Sequence, residues 1–217
     1  MDTATEIWYT AARRGGRLMK QEEKNRKSRE HILSCALTEF AGQGYRGASI
    51  NTICSAGKIS KGLLYHYYAD KDALYLACVD RCFRALTEYL AAHLDAETIT
   101  PDQYFDVRLE YFAANPLHQK LFCGAVVNPP QHLHQELADC RAAFDRLNET
   151  MLTAILEQET LVDGISIQDA IRQLRVFEDF VSTYLKNAGQ EARQMEEHNK
   201  LCRQTLQTML YGLIVRR

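Results

Sequence analysis

The run Ser49-Ile50-Asn51-Thr52-Ile53-Cys54-Ser55-Ala56-Gly57-Lys58-Ile59-Ser60-Lys61-Gly62-Leu63-Leu64-Tyr65-His66-Tyr67 decides how the chain is read. It holds two short helical patterns around a break of three to four residues. Ser49 stands where it can cap the first, with Ile50, Ile53 and Cys54 on one face. Gly57-Lys58-Ile59 makes a tight break, and Ser60 caps a second short helix through Tyr67. Two short helices across such a turn are the layout of a helix-turn-helix, whose second helix enters the major groove of DNA. Ile50, Ile53, Ile59 and Leu64 can supply the small core that locks the pair. That leaves Ser60, Lys61, Gly62, Leu63, Tyr65 and His66 to face outward, and small residues at a helix start allow close approach to bases and phosphates. The same pattern also fits a helical hairpin buried in an α-bundle, with Tyr65-His66-Tyr67-Tyr68 as core.

Working outward, Ile32, Leu33, Ala36, Leu37, Phe40 and Ala41 recur at helical steps, and Gly42 and Gly44 stop that helix. Residues 1–18 show no periodicity, and residues 1–24 read as an N-terminal arm, open to disorder. Downstream, Asp70 caps a longer helix in which Leu74, Ala77, Cys78, Ala85, Leu86, Tyr89 and Leu90 recur at helical steps. Asp70 and Asp72 also suit the positive end of its dipole. Further helices are predicted over 104–114, 117–127, about 135–159, 168–187 and 191–215. No period-two run of useful length occurs. The chain reads as all-α, with two packed units joined through the helix that Asp70 caps.

The composition agrees with a folded, water-exposed chain. Of 217 residues, 46% are hydrophobic and 25% charged, which excludes disordered and collagen-like classes. No stretch reaches the roughly 18 consecutive apolar residues of a membrane span. No secretory signal is evident, because Ile7-Trp8-Tyr9 is followed at once by Arg13 and Arg14, so a cytoplasmic location is expected. Seven cysteines without a Cys-x-x-Cys pair argue for reduced thiols rather than a disulfide framework or structural zinc. Charge is unevenly placed: residues 1–71 carry 12 Lys+Arg against 7 Asp+Glu, and residues 72–217 carry 14 against 21. A basic first third on an acidic body suits a polyanionic partner, although a solvated charged face would look the same.

The run Gly44-Tyr45-Arg46-Gly47-Ala48-Ser49-Ile50, then Ile53, then Ile59-Ser60-Lys61-Gly62-Leu63-Leu64-Tyr65-His66-Tyr67-Tyr68-Ala69-Asp70-Lys71-Asp72-Ala73-Leu74-Tyr75, closely resembles the TetR family of bacterial repressors. The resemblance covers about residues 27–76. It implies a three-helix DNA-binding domain, taken as residues 25–71, and a divergent helical ligand-binding and dimerisation domain, residues 72–217. It further implies a repressor that binds a palindromic double-stranded operator as a homodimer and is released by a small-molecule effector. Ser49 would then touch phosphate, and Ser60, Lys61, Gly62 and Leu63 would lie at the groove. Tyr65 and Tyr67 would contact backbone or bases, with His66 beside them, and Lys71 would pair with a phosphate. Lys58 stands where the family usually has glycine, so a left-handed residue at some cost or a different turn is implied. Ala48 and Leu63 replace commoner threonines and remove two hydroxyl contacts.

Other constellations are weaker. His132 and His134, with Cys123 or Cys140, lack the helical spacing of metal ligands and read as a loop and helix cap, so no metal or cofactor is expected. A small all-α enzyme acting on an apolar substrate, with His118 or His132 as base, is the second reading, but no nucleophile and base pair is evident. Candidate lining for an effector pocket comes from Tyr104, Phe105, Leu109, Tyr111, Phe112, Leu121, Phe122, Phe144, Phe177 and Tyr184, which ordinary core packing would equally use. The last two helices carry stripes suited to a dimer interface, including Ile171, Leu174 and Phe177 in one. In the other, Met195, His198, Cys202, Thr205, Met209 and Gly212 form one row beside Leu206, Leu210 and Leu213.

Overall fold

The computed structural model describes residues 3–176, 200, 203–205 and 208–214. Helix α1 (Thr3–Gly47) begins ahead of the periodic stretch, so backbone expected as an arm is helical from Thr3. It breaks at Gly44, whose φ of 66° is the left-handed conformation that glycine adopts at least cost. A single turn follows, with the Ala48 N–H donating to the Gly44 carbonyl at 3.1 Å. Gly42, also expected as a stop, lies inside the helix.

Helix α2 (Ile50–Gly57) starts where the Ser49 hydroxyl oxygen accepts from the Asn51 N–H at 3.2 Å. It ends on Lys58, the one described non-glycine residue with positive φ (φ 51°, ψ 40°). The Ile59 N–H donates to the Cys54 carbonyl at 2.8 Å and the Lys58 N–H to that of Ser55 at 3.2 Å. This is a left-handed cap at a position that glycine usually fills. The glycine is used one residue earlier: a Cβ on Gly57 would lie 2.5 Å from Ile59 Cδ1 and 2.8 Å from Cys35 Sγ. Close packing of the turn on α1 therefore requires Gly57, and the left-handed geometry falls on Lys58.

Helix α3 (Lys61–Tyr67) is capped by Ser60, whose hydroxyl oxygen accepts from the Leu63 N–H at 3.2 Å. Helix α4 (Lys71–His93) is capped by the Asp70 carboxylate, accepting from the Ala73 N–H at 2.7 Å. Helix α5 (Pro101–Ala114) starts three residues before the predicted 104, because Thr100 and Gln103 form a reciprocal capping box with Pro101 in the first turn. Helix α6 (Pro116–Val127), a 3₁₀ turn (Gln131–Leu133) and α7 (His134–Glu157) follow. A further helix runs from 167 to the described limit at 176, and residues 203–205 and 208–213 are helical. An isolated antiparallel bridge pairs Leu161 with Ile214.

Helix α4 lies between the two halves. Toward α1 it presents Tyr75, whose ring meets Phe40 edge-on at 5.0 Å, and Cys78. Toward the body it presents Phe83, which meets Phe122 at 5.1 Å and Phe144 at 5.7 Å. Helix α7 packs on α4, and α1 also packs on α6, so the two expected units share one continuous buried cluster from Ile32 to Leu213. Leu210 and Leu213 are part of it, which places these two inside the subunit rather than on its outside. No helix among the described residues is long and apolar enough to cross a membrane.

Candidate nucleic-acid interface

Helical phase divides α3 and the residues just after it into two faces. Leu64 (0% exposed) and Tyr68 (5%) point into the core, four residues apart, whereas Leu63 (38%) and Tyr65 (49%) are held in solvent. Ser60, Lys61, Gly62 and His66 are exposed beside them. The tyrosine-rich run is therefore neither all core nor all surface. The Ser60 hydroxyl oxygen is occupied by the cap, and its proton remains able to donate outward. A Cβ on Gly62 would meet no protein atom within 4 Å, so internal packing does not demand glycine there. The exposed row thus offers a lysine, two hydroxyls, an imidazole, an apolar side chain and bare backbone together.

Three further expected contacts sit apart from that row. Tyr67 is half-buried, and its hydroxyl donates to Asn25 Oδ1 on α1 at 3.2 Å, which turns it inward. Ser49 is half-buried at the start of α2, and its own N–H donates to Glu39 Oε1 at 3.0 Å. At the start of α4, Lys71 Nζ lies 4.7 Å above the centre of the Tyr45 ring and 3.5 Å from the Arg46 carbonyl oxygen.

The Tyr45 hydroxyl donates to Asp72 Oδ1, and it lies 3.2 Å from His132 Nε2. His132 Nε2 in turn donates to Asp72 Oδ2 at 3.0 Å, since the carboxylate can only accept. Burial, then the Asp72 hydrogen bond, pushes the Tyr45 phenol up to about 12, so it is a donor at neutral pH. The Tyr45 hydrogen bond, followed by that from His132, holds the Asp72 carboxyl below the usual carboxylate range. His132, weighed above as a metal ligand, is thus engaged with a carboxylate and a phenol. Among the described residues no group of three His, Cys, Asp or Glu side chains could hold a metal ion. Sequence spacing could not single out this cluster, because Tyr45 meets partners 27 and 87 residues away.

The aromatic residues expected around an effector are brought together, but on one another. Phe122 meets Phe112 at 5.3 Å and Phe144 at 5.6 Å, Tyr104 meets Phe105 at 5.1 Å, and the Tyr104 hydroxyl donates to buried Asn148. Leu109 is half-buried on the same helix, and Arg108 lies 5.5 Å from the Phe122 and Phe144 ring centres. Phe177 and Tyr184 lie outside the described residues. A groove of about 690 Å³ lies elsewhere, between α1 and α4, lined by Asn25, Arg29, Glu30, Tyr68, Arg81 and Arg84 among others.

Residues 32–78 match the family model of bacterial regulatory proteins of the tetR family. The biofilm operon icaADBC HTH-type negative transcriptional regulator IcaR of Staphylococcus epidermidis is 30% identical over 67 residues, 31% of this chain and 36% of that one. The HTH-type transcriptional regulator RutR of Escherichia coli K12 is 31% identical over 121 residues, 52% of this chain and 55% of that one. The chain therefore spans about a third to a half of the length of these curated relatives. Among solved structures, the transcriptional regulator FadR of Bacillus subtilis in complex with stearoyl-CoA superposes with a TM-score of 0.66 at 15% identity, covering 85% of this chain and 98% of that one. A tetR family regulator from Shewanella sp. PV-4 gives 0.62 at 18% identity, covering 87% and 99%. These two likenesses establish the shared fold: an N-terminal helix-turn-helix followed by a helical body.

Proposed function

We propose that this chain, whose residues 32–78 match the tetR-family model, is a ligand-responsive transcriptional repressor that binds a palindromic operator as a homodimer and leaves it when a small-molecule effector binds. The observation that carries this reading is the outward row of α3, in which Lys61, Leu63, Tyr65 and His66 stand in solvent while Leu64 and Tyr68 anchor the helix from behind. Lys61, Gly62 and Leu63 meet base edges, Tyr65 and His66 meet bases or backbone, and Ser49, Ser60 and Lys71 meet phosphates. Residues 25–71 do the reading, and residues 72–217 bind the effector and dimerise. That the curated relatives are named as regulators supports a binding protein over an enzyme. The stearoyl-CoA in the FadR structure supports a small-molecule effector.

Burial of Leu210 and Leu213 within the subunit supports the row that includes Thr205, Met209 and Gly212 as the dimer contact. A two-fold pair of readers would meet half-sites about one helical turn apart. Selection of duplexes from a random pool tests the reading. It should enrich an inverted repeat, bound with an affinity that falls by about 0.9 in log–log slope per phosphate neutralised. Light scattering should show a dimer that Met209→Glu converts to monomer. A pool without enrichment, or a monomer that binds the repeat tightly, would refute the proposal.

A further inference from the structure

Lys71, Tyr45, Asp72 and His132 form one connected set that neither the helix-turn-helix nor the aromatic core explains. Lys71 carries a flexible four-carbon stem, and an ammonium free to sweep that space loses entropy on meeting a phosphate. Here the stem is restricted: the ammonium lies 4.7 Å above the Tyr45 ring and 3.5 Å from the Arg46 carbonyl oxygen. The Tyr45 ring is itself fixed at both ends. Its face is edged by Tyr75 at 5.0 Å, and its hydroxyl is held by Asp72 and His132. The Asp72 carboxylate uses one oxygen for Tyr45 and the other for His132. Three separate places in the chain therefore converge on Lys71: the last turn of α1, the first turn of α4 and the 3₁₀ turn after α6.

We infer that His132 is a positioning residue for DNA binding, holding the Lys71 ammonium through Tyr45 and Asp72 in the place where a phosphate is met. The inference rests on the DNA-binding reading above and adds to it a residue of the body, far from α3 in sequence. His132 is largely exposed, at 57% of its side chain, so its contacts add little to folding. Their consequence is the placement of the ring beneath the lysine. Because the turn belongs to the half assigned to the effector, any shift of α6 against α7 reaches Lys71 by this route.

The test uses the full-length chain and the duplex that it selects from a random pool. Affinity is measured against salt for the wild type, Lys71→Ala, His132→Ala and the double variant. Lys71→Ala should lower the log–log slope by about 0.9, the contribution of one phosphate contact. His132→Ala should lower it toward the same value, and the double variant should lose no more than Lys71→Ala alone. Tyr45→Phe, which keeps the ring and removes the hydroxyl, should reproduce the loss. His132→Gln, whose amide nitrogen can still donate to Asp72, should restore the slope, and melting temperatures should stay equal throughout. A wild type that selects no duplex ends both this inference and the DNA-binding reading. Specific binding whose slope is unchanged by Lys71→Ala or by His132→Ala, or losses that add in the double variant, overturns the positioning role and leaves the DNA-binding reading standing.

Discussion

Helices α2 and α3 are eight and seven residues long and are closed by hydrogen bonds within five residues of their own ends. Helices α4 and α7 are 23 and 24 residues long and are joined through rings that come from far apart in the chain, Phe83, Phe122 and Phe144. The short pair is well below the roughly 12–15 residues at which a helix holds itself in water. It needs a cap at each start and a hard stop at each end. Of the long pair, α4 is capped by Asp70, but α7 has no side-chain cap at its N-terminus. Where a helix is short, its determinants are local and chemically specific. Where it is long, they are distributed over a buried face and are chemically interchangeable.

This contrast can be broken at its strongest point first. Phe122 is 4% exposed and touches three other phenyl rings, so Phe122→Ala should cost about 3–5 kcal/mol in urea unfolding. Because the buried cluster is continuous, near-UV signals from the body and from α1 to α3 should disappear in one transition. Two separate transitions would mean that α1 to α3 fold independently of the body.

The turn is the next target. Gly57→Ala places a methyl 2.5 Å from Ile59 Cδ1 and 2.8 Å from Cys35 Sγ, and should cost about 1–3 kcal/mol. Part of that loss should be recovered in a Gly57→Ala, Cys35→Ala double variant, read by the same denaturation midpoint. A loss of the same size with and without Cys35 would show that the contact across the turn is not the cause.

Removing the cap in Ser60→Ala should cost about 1 kcal/mol, since the Leu63 N–H loses its acceptor. Lys58→Gly should change stability in the opposite direction, by up to about 1 kcal/mol, because relief of the left-handed strain is offset in part by the freer unfolded chain. Thermal melts of both variants against the wild type check the pair, and a destabilised Lys58→Gly would show that the lysine is held there by something other than tolerance.

The smallest effect is one of pH. His118 is held below its usual 6.5 by burial and then by Arg81, and its Nδ1 lies 2.6 Å from the Tyr111 hydroxyl. The folded chain therefore takes up this proton less readily than the unfolded one, so stability is full above pH 6.5 and declines as pH falls through the lowered folded value. His118→Gln should flatten that decline when unfolding is followed between pH 7.5 and 5.0. An unchanged decline would assign it to other groups.

The local signals were all present in the order of residues: Ser49, Ser60 and Asp70 cap the helices they were expected to cap, and Gly44 stops α1. Thr100-Pro101 and Gln103 carried an equally local signal, and it moves the start of α5 to Pro101. Of the interface, the outward row on α3 follows from helical phase once Leu64 is assigned to the core. Tyr67 does not follow from it, because Asn25 on α1 supplies a hydrogen-bond acceptor that no spacing rule could reveal.

The sequence by itself determined that the chain is helical and where its short helices begin and end, because caps, turns and helical phase act over a few residues. Only the tertiary structure decided between a left-handed Lys58 and a different turn, that α4 joins two halves into a single core, and that His132 meets Tyr45 and Asp72. Those outcomes depend on which atoms distant segments bring within a few ångströms. That is a property of packing, to which residues far apart in the chain contribute together.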